Sequence, residues 1–218
     1  MKKIVFLLFI ISIYTNTYSQ NSVQAKKMLD EVSTKMSAYK NMYIGFSQTL
    51  SNEDAGIKEG DEPPIRGEIN LQGEKYSLNY LGNQFIFDGN KLHIINNDEK
   101  EVSITEGDLG GEDGFIYPSK LLTFYKEGYN FSMGKLKTIK GKKVQFVDLT
   151  PIDSNSEIVK VQLGIDAKTK HIYKLVQIGG NGSTTTFTIN QFKSNQAISE
   201  KLFTFDKDKY LKNNYTID

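Results

Sequence analysis

The chain contains no cysteine and no tryptophan, and only four prolines and two histidines among its 218 residues. Without cysteine it can form no disulfide and carries no thiol for the acylated cysteine that anchors a bacterial lipoprotein. Thiolate metal sites are excluded for the same reason. The two histidines, His93 and His171, fall in strand-like stretches. Neither has a histidine or acidic neighbour at metal-ligand spacing, so both read as surface or cavity-rim residues. Excess charge is also missing. A formal net charge of +1, with acids and bases interspersed, leaves no electrostatic footprint for nucleic acid or anionic lipid. There is no Gly-x-Ser-x-Gly elbow, no phosphate-binding Gly-x-x-x-x-Gly-Lys-Ser/Thr and no dinucleotide-binding glycine fingerprint. A triad assembled only in space stays open, but nothing in the sequence calls for a cofactor or a metal.

Long hydrophobic runs are missing too. The longest, Ile4–Ile13, is too short for a bilayer core, which needs roughly 20 apolar residues. It follows Lys2 and Lys3 and precedes Thr17 and Ser19, small residues at the two positions read by a signal peptidase. Residues 1–19 therefore read as a cleaved secretory signal, and residues 20–218 as one exported domain. The expected location is the periplasm, outside the reach of ATP, NADH and the cytosolic reducing pool.

What is present is aromatic bulk, 13 Phe and 12 Tyr, in alternating patterns. Residues 22–40 come first and follow a helical period: Val23, Ala25, Met28, Leu29, Val32, Met36 and Tyr39 share a face opposite Lys26, Lys27, Asp30, Glu31 and Lys35. Asn21 or Ser22 is suited to cap its start. From residue 43 the period becomes two. Ile44, Phe46 and Gln48 alternate with small polar residues, as do Ile65 to Leu71 and Tyr76 to Tyr80. Asp88-Gly89-Asn90 is a hairpin signal between Gln84–Phe87 and Lys91–Ile95. Two acidic, glycine-punctuated stretches, 52–64 and 106–114, read as loops, and the second lacks the spacing of a calcium loop. Pro118 should open a short helix over Ser119–Lys126. Strands return at about 130–131, 136–139, 144–150, 158–165, 172–178, 183–192 and 202–205. The sum is mainly antiparallel β with two helices (α+β). About eleven strands without βαβ alternation imply a large sheet curled towards an incomplete barrel, with its helices on one side.

A curled sheet with an inward apolar face under an amphipathic helix either fills itself or holds something apolar. Burial is worth about 0.8 kcal/mol per CH₂, so a chain of ~16 carbons loses on the order of 12 kcal/mol when left in water. An acylated molecule crossing an aqueous compartment needs that surface covered.

Several segments in order give the chain a recognisable look. They are the amphipathic helix leading into Phe46-Ser47-Gln48-Thr49, then Gly67-Glu68-Ile69-Asn70-Leu71, Lys75-Tyr76-Ser77-Leu78, Asp88-Gly89-Asn90-Lys91-Leu92 and, near the end, Leu202-Phe203-Thr204-Phe205. In this order and spacing the chain resembles the LolA-type outer-membrane lipoprotein carriers. The resemblance implies an incomplete, strongly curved barrel closed by a helical lid, and no catalysis. It implies lipoprotein acyl chains as cargo, an inner-membrane lipoprotein exporter as donor and an outer-membrane acceptor as recipient; nothing in the sequence suggests an obligate oligomer, and a monomer is expected. It places the apolar cavity along Phe46, Ile69, Leu71, Tyr76, Leu78, Tyr80, Phe85 and Phe87 on strands. On the helices it places Met28, Leu29, Val32, Met36, Leu121, Leu122 and Tyr125. Many relatives carry Arg-Pro after the second strand, the Arg holding the lid; here Gln72-Gly73-Glu74-Lys75 offers no such residue. Two other readings stand beside this one: a carrier or sensor of free lipid with the same fold, and a periplasmic hydrolase.

Overall fold

The computed structural model describes residues 2–109 and 120–218, with side chains from Gln20 onward. Among these, the chain opens with α1 (Lys2–Ser37) and continues through β1 (Met42–Asn52), β2 (Ile65–Gln72), β3 (Lys75–Tyr80), β4 (Asn83–Phe87), β5 (Lys91–Asn96) and β6 (Glu101–Glu106). After the undescribed stretch come β7 (Tyr129–Ile139), β8 (Lys142–Pro151), β9 (Ile158–Asp166), β10 (Ile172–Gly179) and β11 (Ser183–Ser194). A short helix α2 (Lys207–Lys212) and β12 (Thr216–Ile217) end it. Among the described residues no helix is long and apolar enough to cross a membrane.

All twelve strands share one sheet in the order β12-β6-β5-β4-β3-β2-β1-β11-β10-β9-β8-β7. Two meanders, β1 to β6 and β7 to β11, are joined where β1 pairs with β11. Neighbours are antiparallel except β12 against β6. β7 and β12 remain as edges, so the barrel is curved but open. The hairpin at Asp88-Gly89-Asn90 forms as its residues dictate. Gly89 takes a φ of 100°, and the Asp88 carboxylate accepts from the Asn90 and Lys91 amides at 2.8 Å each.

Four sequence expectations are corrected. The two short strands expected at 130–131 and 136–139 are one strand, β7, with an irregularity between Met133 and Leu136. Gly134 sits in it because a Cβ there would come within 3.0 Å of the Phe146 side chain. The strand expected at 202–205 is a 3-10 turn, Glu200–Phe203, whose Ser199 hydroxyl accepts from the Lys201 amide at 3.3 Å. Four alternating residues beside a cap were too short a pattern to separate the two forms. The helix expected over 119–126 begins outside the described residues; from residue 120 the chain forms a turn closing in a 3-10 turn, Phe124–Lys126. Asn21 does not cap a helix start, since α1 already runs through it. Its side-chain oxygen accepts instead from the Met133 amide on β7, at 2.6 Å.

The two helical stretches expected from the sequence, α1 and the segment ending at Lys126, share the inner face, and α2 is an additional helix. α1 covers the inner face: Ala25, Leu29, Val32 and Met36 are buried in one cluster with Ile44, Ile69, Leu71, Leu163 and Leu175. α2 lies on the outer face, where Tyr210 joins Ile86, Ile95 and Val102 in a second cluster. His93 belongs to this outer side and is buried, not a rim residue. Its ring stacks on Phe205 at 4.5 Å. The acidic loop after β1 also folds back on the outer face, where Glu59 takes a hydrogen bond from Thr49 at 3.3 Å and lies 3.9 Å from Lys174.

Candidate functional site

Because side chains alternate across a strand, pairing register lays the inner face out as rows. One row runs Phe192, Ile44, Ile69, Leu78, Phe85, Ile94 across β11, β1, β2, β3, β4 and β5. Another runs Met133, Val147, Leu163, Leu175, Phe187, Gln48 across β7, β8, β9, β10, β11 and β1. Between them Phe46 lies opposite Gly67. A Cβ at residue 67 would run into the Phe46 ring, so glycine there lets the ring lie across β2 towards Tyr80, centroids 5.6 Å apart.

These rows enclose a cavity of about 110 Å³ lined by Ile44, Phe46, Ile69, Leu78, Tyr80, Leu121, Ile172, Leu175, Gln177, Phe187 and Ile189. All of the lining is apolar side chain except Gln177 and the Tyr80 hydroxyl. Binding pockets for drug-sized ligands are roughly 300–1,000 Å³. As it stands the space is therefore too small for an acyl chain, and it must be enlarged by moving the cover.

The cover is α1 and the segment around Leu121–Tyr125. The large apolar side chains that α1 buries are Leu29, Val32 and Met36, each worth about 1.5–3 kcal/mol. Polar ties fix its C-terminal end. Lys35 Nζ donates to the Thr169 carbonyl at 2.7 Å, and Tyr39 Oη meets His171 Nε2 at 2.8 Å. His171 also packs its ring on Phe192, centroids 4.3 Å apart. Burial lowers the pKa of His171, and Lys35 lowers it further against the opposing pull of Asp166. The second cover segment is tied to the first: the Tyr125 hydroxyl donates to Asp30 Oδ1 at 2.9 Å, and Lys26 bonds Asp30 Oδ2 at 2.6 Å. Burial and the hydrogen bond to Asp30 push the Tyr125 phenol up to about 12, so it stays a neutral donor through the physiological range. A neutral hydrogen bond nets only about 1 kcal/mol, and the ties made by Lys35 and Asp30, though charged at one end, are open to solvent and worth little more. The cover is thus held mostly by apolar contact, which another apolar molecule could replace.

Of the fifteen residues that the sequence reading places at the cavity, Phe46, Ile69, Leu78, Tyr80 and Leu121 line it. The other ten stand beside it in the same apolar cluster. Leu29, Val32, Met36, Leu71, Tyr76, Phe87 and Tyr125 are buried there, and Met28, Phe85 and Leu122 pack against it. Tyr76 spends its hydroxyl on Asp108 at 2.6 Å, and burial with that carboxylate holds the phenol far above its ordinary pKa. The reading missed Ile44, Ile172, Leu175, Gln177, Phe187 and Ile189. Five of them lie on β10 and β11, whose alternation was visible but whose resemblance to anything was not. Val23, assigned to the inward face of the helix, is 64% exposed. Among the described residues no three of His, Asp and Glu gather where they could hold a metal.

An apolar cavity in an open twelve-stranded barrel, roofed by a helix, is the setting for the comparison with known proteins. Residues 81–206 match the family profile described as outer membrane lipoprotein carrier protein LolA. The chain belongs to this family. Membership in LolA makes it one of a family of carriers and binding proteins. No match was found among curated proteins. Solved structures share the fold. An uncharacterised conserved protein from Thermus thermophilus is similar with a TM-score of 0.59 at 9% identity, over 89% of this chain and 98% of that one. A DUF1329 family protein from Desulfovibrio piger superposes with a TM-score of 0.50 at 7% identity, over 84% and 97%. A LolA superfamily protein from Nitrosomonas europaea, with a TM-score of 0.43 and 11% identity, covers 85% and 98%.

Proposed function

We propose that the chain is a periplasmic carrier that holds the acyl chains of lipoproteins in the cavity beneath α1 and ferries them from the inner to the outer membrane. It receives them from an inner-membrane exporter and yields them to an outer-membrane acceptor. Residues 1–19 act as the export signal. The observation that carries this is a cavity walled almost wholly by apolar side chains whose roof is itself held by apolar contact. Membership in LolA supports the cargo class.

The exchange is balanced by similar terms. Lifting α1 exposes Leu29, Val32 and Met36, at a cost on the order of 4–9 kcal/mol, whereas one ~16-carbon chain recovers on the order of 12 kcal/mol. Closed and empty, the protein hides its own apolar surface; open and loaded, the cargo hides it. Because the two are close, an acceptor offering more apolar area can take the cargo without any chemical step.

Native mass spectrometry of the protein with a synthetic triacylated lipopeptide, and with the same peptide lacking its acyl chains, tests this. The acylated peptide should bind one to one and the bare peptide not at all. Phe187→Arg, which puts a guanidinium on the cavity wall at a half-buried position, should weaken the complex at least tenfold with an unchanged circular dichroism spectrum. Binding of the bare peptide, or of free fatty acid but not lipopeptide, overturns lipoprotein carriage.

A further inference from the structure

One residue on the inner wall is out of keeping with its row. Met133, Val147, Leu163, Leu175 and Phe187 are followed by Gln48, which faces the same way as Ile44 and Phe46 on β1. Gln48 is only 9% exposed, and its Oε1 finds no hydrogen-bond partner among the described residues. A buried acceptor left unmade costs free energy that an apolar residue of the same size would not. Gln48 does not itself line the closed cavity but is paired in register with Phe187, which does, and Gln177, 6% exposed and two residues beyond Leu175, lines it as a second amide.

We propose that Gln48 is a specificity residue of the cavity and that the ligand it selects carries an amide N–H next to its acyl chain. This rests on the cavity reading above and adds the ligand's linkage to it. An acyl amide presents a donor to Gln48 Oε1 once the surrounding hydrocarbon is seated in the apolar rows. An acyl ester of the same shape has only acceptors and leaves Oε1 as it was. The unsatisfied carbonyl is thus a feature of the empty protein that the right ligand removes.

N-methyldodecanamide and methyl dodecanoate differ at one position, N–H against O, and suit the test. Each is titrated against the full protein carrying an apolar fluorescent dye in the cavity, and the ratio of the two Kd values is read. Because the ligands differ in their own hydration, the decisive quantity is how that ratio changes between the wild type and Gln48→Met, a near-isosteric variant without the acceptor. The preference for the amide should fall by about tenfold in Gln48→Met, the size expected for one orphaned acceptor regained. Gln48→Leu should show the same loss, with a thermal midpoint at or above that of the wild type. An unchanged ratio in both variants overturns the role of Gln48 and leaves the cavity reading standing. Displacement of the dye by neither ligand overturns both.

Discussion

The sheet has two apolar faces, and they are covered in different ways. On the outer face of β4, β5 and β6, the C-terminal segment lays Phe205 and Tyr210 over Ile86, Ile95 and Val102. The rings form a continuous stack: His93 on Phe205 at 4.5 Å and Phe205 on Tyr210 at 5.1 Å. Tyr210 Oη donates to Gln84 at 3.2 Å, and β12 pairs with β6, closing an edge that would otherwise invite another strand. On the inner face, α1 and the segment around Tyr125 leave a cavity beneath them, and their polar ties are few. Interlocked aromatics over a small area make a fixed strap; aliphatic side chains over a wider, hollow area make a cover that can lift. The location of function follows from this contrast more than from the amount of apolar surface.

The largest expected effect comes from breaking the strap. Tyr210→Ala removes a buried ring, its stack and its hydrogen bond, and should lower stability by about 3–5 kcal/mol in denaturant melts. Ligand affinity per folded molecule should stay within about twofold, because the ring touches the opposite face of the sheet. A large loss of affinity alongside the loss of stability would mean that the two covers are coupled through the sheet.

The two faces were not equally legible in the sequence. The inner rows could be read from β1 to β4 because Ile44/Phe46, Ile69/Leu71, Tyr76/Leu78 and Phe85/Phe87 alternate over lengths that only a strand satisfies. The helix was legible from the spacing of Leu29, Val32 and Met36. β11 was harder to read. Phe187 stands among threonines that look polar, although threonine is a good strand former and only one face needs to be apolar. The strap was misread. Phe203 and Phe205 alternate like a strand, and only the caps at Ser199 and Asp206, which depend on backbone geometry, decide for a 3-10 turn and a helix. His93 illustrates a limit of one-dimensional reading. Its own stretch puts it opposite Leu92 and Ile94, but that its outward side is buried depends on a segment more than a hundred residues away.

A smaller effect should come from loosening the cover. Tyr125→Phe keeps the ring and removes the hydrogen bond to Asp30. Tyr125 is buried but its partner Asp30 is half-exposed, so after solvent screening the bond is worth about 1 kcal/mol. The open fraction should then rise up to about fivefold. The rate of dye uptake into the cavity, measured by stopped-flow fluorescence, should rise in proportion, while the thermal midpoint moves by no more than a few degrees. No change in uptake would shift the latch elsewhere, to the contacts of Lys35 and Tyr39 with the 169–171 turn.

The smallest effect is one of pH, and its sign follows from the same carboxylate. The Lys26 ammonium holds Asp30 below its ordinary pKa, burial opposes this, and the Tyr125 hydroxyl adds to the lowering. Lys26 rides on α1 with Asp30, so only the part of the lowering that comes from the Tyr125 hydroxyl is tied to closure; it stabilises the closed cover above the free value, near 4, and is lost as pH falls through the depressed value. Dye uptake should therefore be flat from pH 7 to about 4.5 and quicken below about 4. Asp30→Asn should abolish that acid limb and leave the protein at its faster rate throughout. Asp88 and Asp166, also held low by backbone amides against the effect of burial, contribute to global acid unfolding in the same range, so far-UV circular dichroism must be followed in parallel. Uptake that quickens only where the dichroism is lost belongs to unfolding, not to the cover. Uptake that quickens first assigns the acid sensitivity to Asp30, and with it the difference between a cover that lifts and a strap that does not.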